Sequence, residues 1–150
     1  MNNDMNLEYT NNLIDRLLVR RSTNDENSLC STMRHLSGEE KLTIIERLGN
    51  SNVRLAASIA ARVHLPVDQQ LVLLSHILCG GKSNAIKQFT IGLFAYRLST
   101  KKVIRLLMAL NDKYPDSVKL MAYYYKNSVN KMNHKDKILL DNLIKTNVLD

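Results

Sequence analysis

The sequence predicts an all-α protein: a short right-handed α-solenoid of about three stacked helical hairpins, closed at either end by capping helices. Three observations carry this expectation. Apolar residues recur at helical spacing along nearly the whole chain, with no convincing strand alternation. Pro occurs twice and Gly five times in 150 residues, too few turn formers for a many-stranded fold. A β-branched residue followed by a cation returns at Val53, Ile86 and Val118, at the period of helical-repeat proteins.

Taken in order, Leu7, Leu13, Ile14, Leu17 and Leu18 mark a first helix ending near Arg20 and Arg21, where cations suit the helix dipole. Met1 to Asn6 is expected to fray. Ser22 to Ser28 is polar and reads as a loop. A short helix with Leu29, Cys30, Met33 and Leu36 follows. Ser37 and Glu40 have the spacing of a capping box. The helix they open buries Leu42, Ile44, Ile45 and Leu48 and stops at Gly49. Ser51 or Asn52 caps the next helix, whose Ala56, Ala57, Ala60 and Ala61 leave room for a neighbouring backbone. His64, Leu65 and Pro66 end it.

Val67 to Cys79 is apolar on nearly every side and is expected to be central. Gly80 and Gly81 break it. Ser83 caps a helix over Asn84 to Leu98, and Ser99 or Thr100 caps the one after. Tyr114 to Asp116 reads as a turn, and Asp116 or Ser117 opens the helix that carries Tyr123, Tyr124 and Tyr125. Asn133 caps a last helix with Ile138, Leu139, Leu140, Leu143 and Ile144. One hairpin cannot bury its own apolar face, whereas stacked hairpins can. The chain is therefore read as one domain: N-terminal caps over 1–38, hairpin repeats over 39–132 and a C-terminal cap over 133–150.

The segment from Asn52 to Ala57, NVRLAA, resembles the start of a second helix in HEAT repeats. Gly80, Ala85 and Phe89 have the spacing of a tetratricopeptide repeat. A fainter similarity, carried by Ile59 to Leu65, Ser75 to Gln88 and Ala95 to Leu98, is to the small tetratricopeptide-like co-chaperones of type III secretion systems. That last resemblance implies a cytoplasmic chaperone whose concave surface holds an apolar helix of a secreted subunit.

Charge is unevenly placed. Residues 1–66 hold eight Lys/Arg and eight Asp/Glu, whereas 97–137 hold ten and three. Such a basic stretch suits an acidic protein, a nucleic-acid backbone or an anionic membrane surface, and it is also what an ordinary solvated helix face would show. Cys30 and Cys79 sit in apolar helical patterns and read as buried free thiols. No apolar run is long enough to cross a membrane, and Met1 to Asn12 has no apolar core of a signal peptide. These features point to the cytoplasm, with no membrane partner; a polar N-terminus remains compatible with type III export.

The residues offer little for catalysis. His35, His64, His76 and His134 make no zinc pattern. His76 and Cys79 share a helix face without further ligands, and Gly80 to Ser83 lacks the first glycine of a phosphate loop. No enzymatic activity, cofactor or metal is expected. The expected function is recognition of another protein, as an adaptor, chaperone or regulator. The second helices of the hairpins are expected to line one face, with Gln88, Tyr96, Arg97, Lys119, Tyr123 and Lys126 as partner-binding residues. The alternative is nucleic-acid binding through Lys101, Lys102, Arg105, Lys119, Lys126, Lys131, Lys135 and Lys137, with the tyrosines stacking on bases. Homo-oligomer formation through the apolar middle hairpin is a third reading.

Overall fold

The computed structural model describes residues 3–146, and every regular element among them is helical. In order these are α1 (Asn3–Val19), α2 (Thr23–Met33), α3 (Gly38–Gly49), α4 (Val53–Arg62), α5 (Val67–Gly80), α6 (Ser83–Phe89), a π-helical turn (Thr90–Phe94), α7 (Ala95–Arg97), α8 (Thr100–Leu110), α9 (Pro115–Ser128) and α10 (His134–Thr146). Because α6, the π turn and α7 run on without a break, the described residues form nine helices. The chain separates into two compact units, Met1–Pro66 and Val67–Asp150.

The first unit is α1 to α4. Its core is Leu13, Ile14 and Leu17 from α1, Leu29, Cys30 and Met33 from α2, Ile45 and Leu48 from α3, and Leu55 and Ile59 from α4. α3 and α4 form the expected hairpin, and α1 packs on α2. Ala56, Ala57 and Ala60 are buried, as small residues at a close helix–helix approach should be. Arginines tie the helices at the surface. Arg16 reaches Asp25 at 3.2 Å, Arg47 reaches Asn11 and Asp15 at 2.7 Å, and Arg62 reaches Asn27 at 2.7 Å. Exposed pairs of this kind are worth about 0–1 kcal/mol each, so they align the helices more than they hold them.

Two boundaries in this unit differ from expectation. α1 begins at Asn3, well before Leu7. Ser22 to Ser28 is not a loop, because α2 starts at Thr23. The Ser22 hydroxyl accepts from the Asp25 amide, and Asp25 and Glu26 lie in the first turn, where the helix dipole favours anions. Polar composition hid an N-terminus that is well made locally. The Ser37–Glu40 capping box forms in both directions, at 3.2 and 3.1 Å. Gly49 is the last residue of α3 and Asn50 follows it in helical conformation, so the glycine does not break the helix by a left-handed turn. Asn52, not Ser51, caps α4. His64 takes φ of 55° in the turn after α4.

The second unit is α5 to α10, and α9 is its axis. α9 touches α5, α6, the π turn, α8 and α10. It buries Val118, Met121, Ala122 and Tyr125. The expectation that the α5 segment is central is thereby corrected. α5 buries Gln70, Leu73, Leu74 and Leu78, while Val67, Val72, His76 and Cys79 are exposed. Uniform apolarity marked α5, but burial depends on how many neighbours surround a helix. Cys30 is buried as expected and Cys79 is not.

The interruption in the α6–α7 helix was not readable from its pattern. The Ala95 amide donates to the Thr90 carbonyl, a five-residue step in place of the usual four. One extra residue is thus accommodated within an otherwise regular helix. With an unbroken α period, Phe94 and Leu98 would rotate away from Ile86 and Phe89. With the wide turn all four are buried, and Phe89 and Phe94 stack with ring centroids 6.3 Å apart.

Remaining ends follow simple rules. Lys82 stands at the N-cap of α6 and gives no side-chain bond, so Ser83 is inside the helix and not its cap. Ser99 caps α8. Pro115 is already helical, at the first position, where its missing amide costs nothing. The expected turn over Tyr114 to Asp116 is therefore a helix start. Asn133 caps α10, accepting from the Asp136 amide at 2.8 Å.

Candidate interaction surface

The six residues singled out above all fall in the second unit. Gln88 is half-buried on α6. Tyr96 is 75% exposed on α7, with Arg97 exposed beside it. Lys119, Tyr123 and Lys126 recur on α9 at steps of four and three, which is one stripe of a helix. Of these three only Tyr123 is exposed, at 51%, while Lys119 and Lys126 are half-buried.

The flanks of α9 separate these residues. A Cβ placed on Gly81, in the α5–α6 turn, would lie 3.7 Å from the Ser117 hydroxyl. Lys126 forms an ion pair with Asp141 of α10. Ser117 and Lys126 are nine residues apart, which at about 100° per residue puts them on opposite flanks. Lys126 therefore borders α10, and the other flank borders the α5–α6 turn. Tyr123 lies on the open face between. Lys126 is thereby engaged within the unit, and the Asp141 carboxyl is held below its ordinary range, first by the hydrogen bond from Lys126 and then by the charges of Lys126, Lys145 and Lys137.

The three consecutive tyrosines divide as helix geometry requires. Tyr123 faces solvent, Tyr124 is half-buried with its ring edge-on to Tyr123, and Tyr125 is buried. Burial pushes the Tyr125 phenol above its ordinary range, against a lowering by its Thr100 hydrogen bond.

Charge follows the division into units. The first carries eight Lys/Arg and eight Asp/Glu; the second carries thirteen and six. In the second, Lys101, Lys102 and Arg105 are exposed on α8, and among the described residues none of them is in an ion pair. Met108, 55% exposed on the same helix, escaped the sequence reading. The available signal was its distance of three residues from Arg105 in an otherwise clean polar face.

The first unit has an open cavity of about 630 Å³, lined by Tyr9, His35, Leu36, Glu40 and Ile44 among others. Several of its polar groups are turned to their own helices. Thr32 donates to the Ser28 carbonyl, Thr43 donates to the Glu39 carbonyl, and Glu40 accepts from the Ser37 amide. Among the described residues no cluster of three His, Cys, Asp or Glu could hold a metal ion. Within them no helix is long and apolar enough to cross a membrane.

Comparison with protein-family models, with curated proteins and with solved structures finds no match.

Proposed function

We propose that this chain is a non-enzymatic binding protein that works in the cytoplasm as an adaptor, chaperone or regulator, and that its second unit engages another protein. One observation carries the reading: the segregation of charge. Arg16, Arg47 and Arg62 of the first unit are spent on neighbouring helices, at Asp25, Asp15 and Asn27, and that unit is formally neutral. The second unit holds the whole excess of +7 and presents cations beside exposed Tyr96, Tyr123 and Met108. Aromatic and apolar groups ringed by charge are the composition of a protein-binding surface.

Affinity capture with the full chain, followed by mass spectrometry and run with and without nuclease, tests this. A protein partner that survives nuclease and high salt is the expected result. Binding that disappears with nuclease overturns it. The nucleic-acid reading has its own support in Tyr123, whose exposed ring sits on a stripe with Lys119. It requires affinity that falls steeply as salt rises.

A further inference from the structure

The charge on α8 runs against its own dipole. Lys101 and Lys102 lie in its first turn and Arg105 one turn on, with no acidic residue in the first turn. The last turn has no basic residue, and Asp112 and Lys113 follow it together. Backbone amides already make a helix N-terminus electropositive, so cations there repel it. Nothing within the described residues neutralises the three by an ion pair. Ser99 meanwhile caps the helix, and Val103, Ile104 and Leu107 are buried, so the opposite face is held towards solvent.

That outward face is ordered along its length. Lys101, Arg105 and Met108 recur at steps of four and three, which is one stripe, and Asp112 and Lys113 lie in the turn after it. It is cationic over its first half and apolar at Met108, and the opposite charges of Asp112 and Lys113 offset each other past its end. A phosphate backbone would leave Met108 unmatched. An amphipathic helix with carboxylates at one end and an apolar centre matches both the cations and Met108. We propose that the exposed face of α8 docks an acidic amphipathic helix of a partner protein, with Lys101, Lys102 and Arg105 taking the carboxylates and Met108 the apolar centre. This rests on the protein-binding reading above and places the contact on α8, away from the α6–α9 residues first singled out.

The probe is a labelled synthetic helical peptide with Glu in its first two turns and Leu at its centre. Controls are a scrambled peptide of the same composition and a DNA duplex. Binding to the full chain is read by fluorescence anisotropy. The ordered peptide is expected to bind about tenfold tighter than the scrambled one, and Lys101→Glu/Arg105→Glu to weaken it by about tenfold. Met108→Ser is expected to weaken it several-fold. Lys135→Glu/Lys137→Glu, which changes net charge equally on α10, is expected to cost less than about threefold. Circular dichroism checks that each variant is folded.

Equal loss from the α8 and α10 reversals, or equal affinity for the two peptides, overturns the α8 assignment. A captured protein partner whose affinity ignores the α8 reversal overturns this inference and leaves the protein-binding reading standing. Binding of the duplex with neither peptide bound overturns both.

Discussion

The Tyr125 hydroxyl donates to the Leu98 carbonyl at 2.9 Å, with the Thr100 hydroxyl 3.2 Å away. This joins the centre of α9 to the link between α7 and α8. It satisfies a buried phenol and a carbonyl left over at a helix end. Tyr125→Phe keeps the ring but orphans that carbonyl, and should lower stability by about 1–2 kcal/mol. Tyr123→Phe, on the open face, should change it by less than about 0.5 kcal/mol. Chemical denaturation of both variants checks the contrast. The phenol's folded pKa is raised, so its contribution is present below the ordinary tyrosine value, about 10, and is lost as pH rises above it.

The π turn behaves as a one-residue insertion. Deleting Ile91, itself partly exposed, would leave Phe94 four residues after Phe89 and restore a regular α period with both rings inward. The deletion should keep the helical circular dichroism and a melting temperature near that of the parent. Phe94→Ala should instead lose about 3–5 kcal/mol. A deletion as damaging as Phe94→Ala would sink the insertion account.

Thr90 opens that turn with its hydroxyl buried and without a hydrogen-bond partner in the structure. Valine has nearly the same shape and no polar group to desolvate. Thr90→Val should therefore stabilise the second unit, by about 1 kcal/mol. A lower melting temperature for the variant would show that the hydroxyl has a partner in solution.

Gly80 and Gly81 should respond in opposite directions. Gly81 has φ of 68°, where a Cβ is strained, so Gly81→Ala should cost about 1 kcal/mol. Gly80 is helical and a Cβ there meets nothing within 4 Å. Gly80→Ala should be stabilising, by about 0.5 kcal/mol. Thermal melts of the two single variants decide it.

The Lys126–Asp141 pair predicts an acid-side dependence. Its carboxyl has a folded pKa below the ordinary aspartate value, so the unfolded chain binds the proton more readily in between. The stabilisation is present above about pH 4 and is lost as pH falls through the folded value. Asp141→Asn should remove this slope and leave the neutral-pH fold intact. Urea midpoints measured across that range for both proteins test it.

Much of the fold could be read one residue at a time. The helices that carry Leu42 to Leu48, Val103 to Leu107 and Val118 to Tyr125 show their period directly, and the caps at Ser37, Asn52, Ser99 and Asn133 are local chemistry. The start of α2 was equally local, yet seven polar residues in a row masked it. The candidate surface was less legible. Lys126 looked available, but Asp141 lies fifteen residues on, and pairing between helices leaves no periodic trace.

What the sequence determined by itself is the all-α class, most helix ends and the confinement of the excess charge to the chain after Pro66, because period, capping and composition act within a few residues. Only the tertiary structure decided that α9 and not α5 is the axis of the second unit, that Cys79 faces outward and that the α6–α7 helix opens into a π turn. Each of these depends on which neighbours cover a face, and a chain read in order does not contain that information.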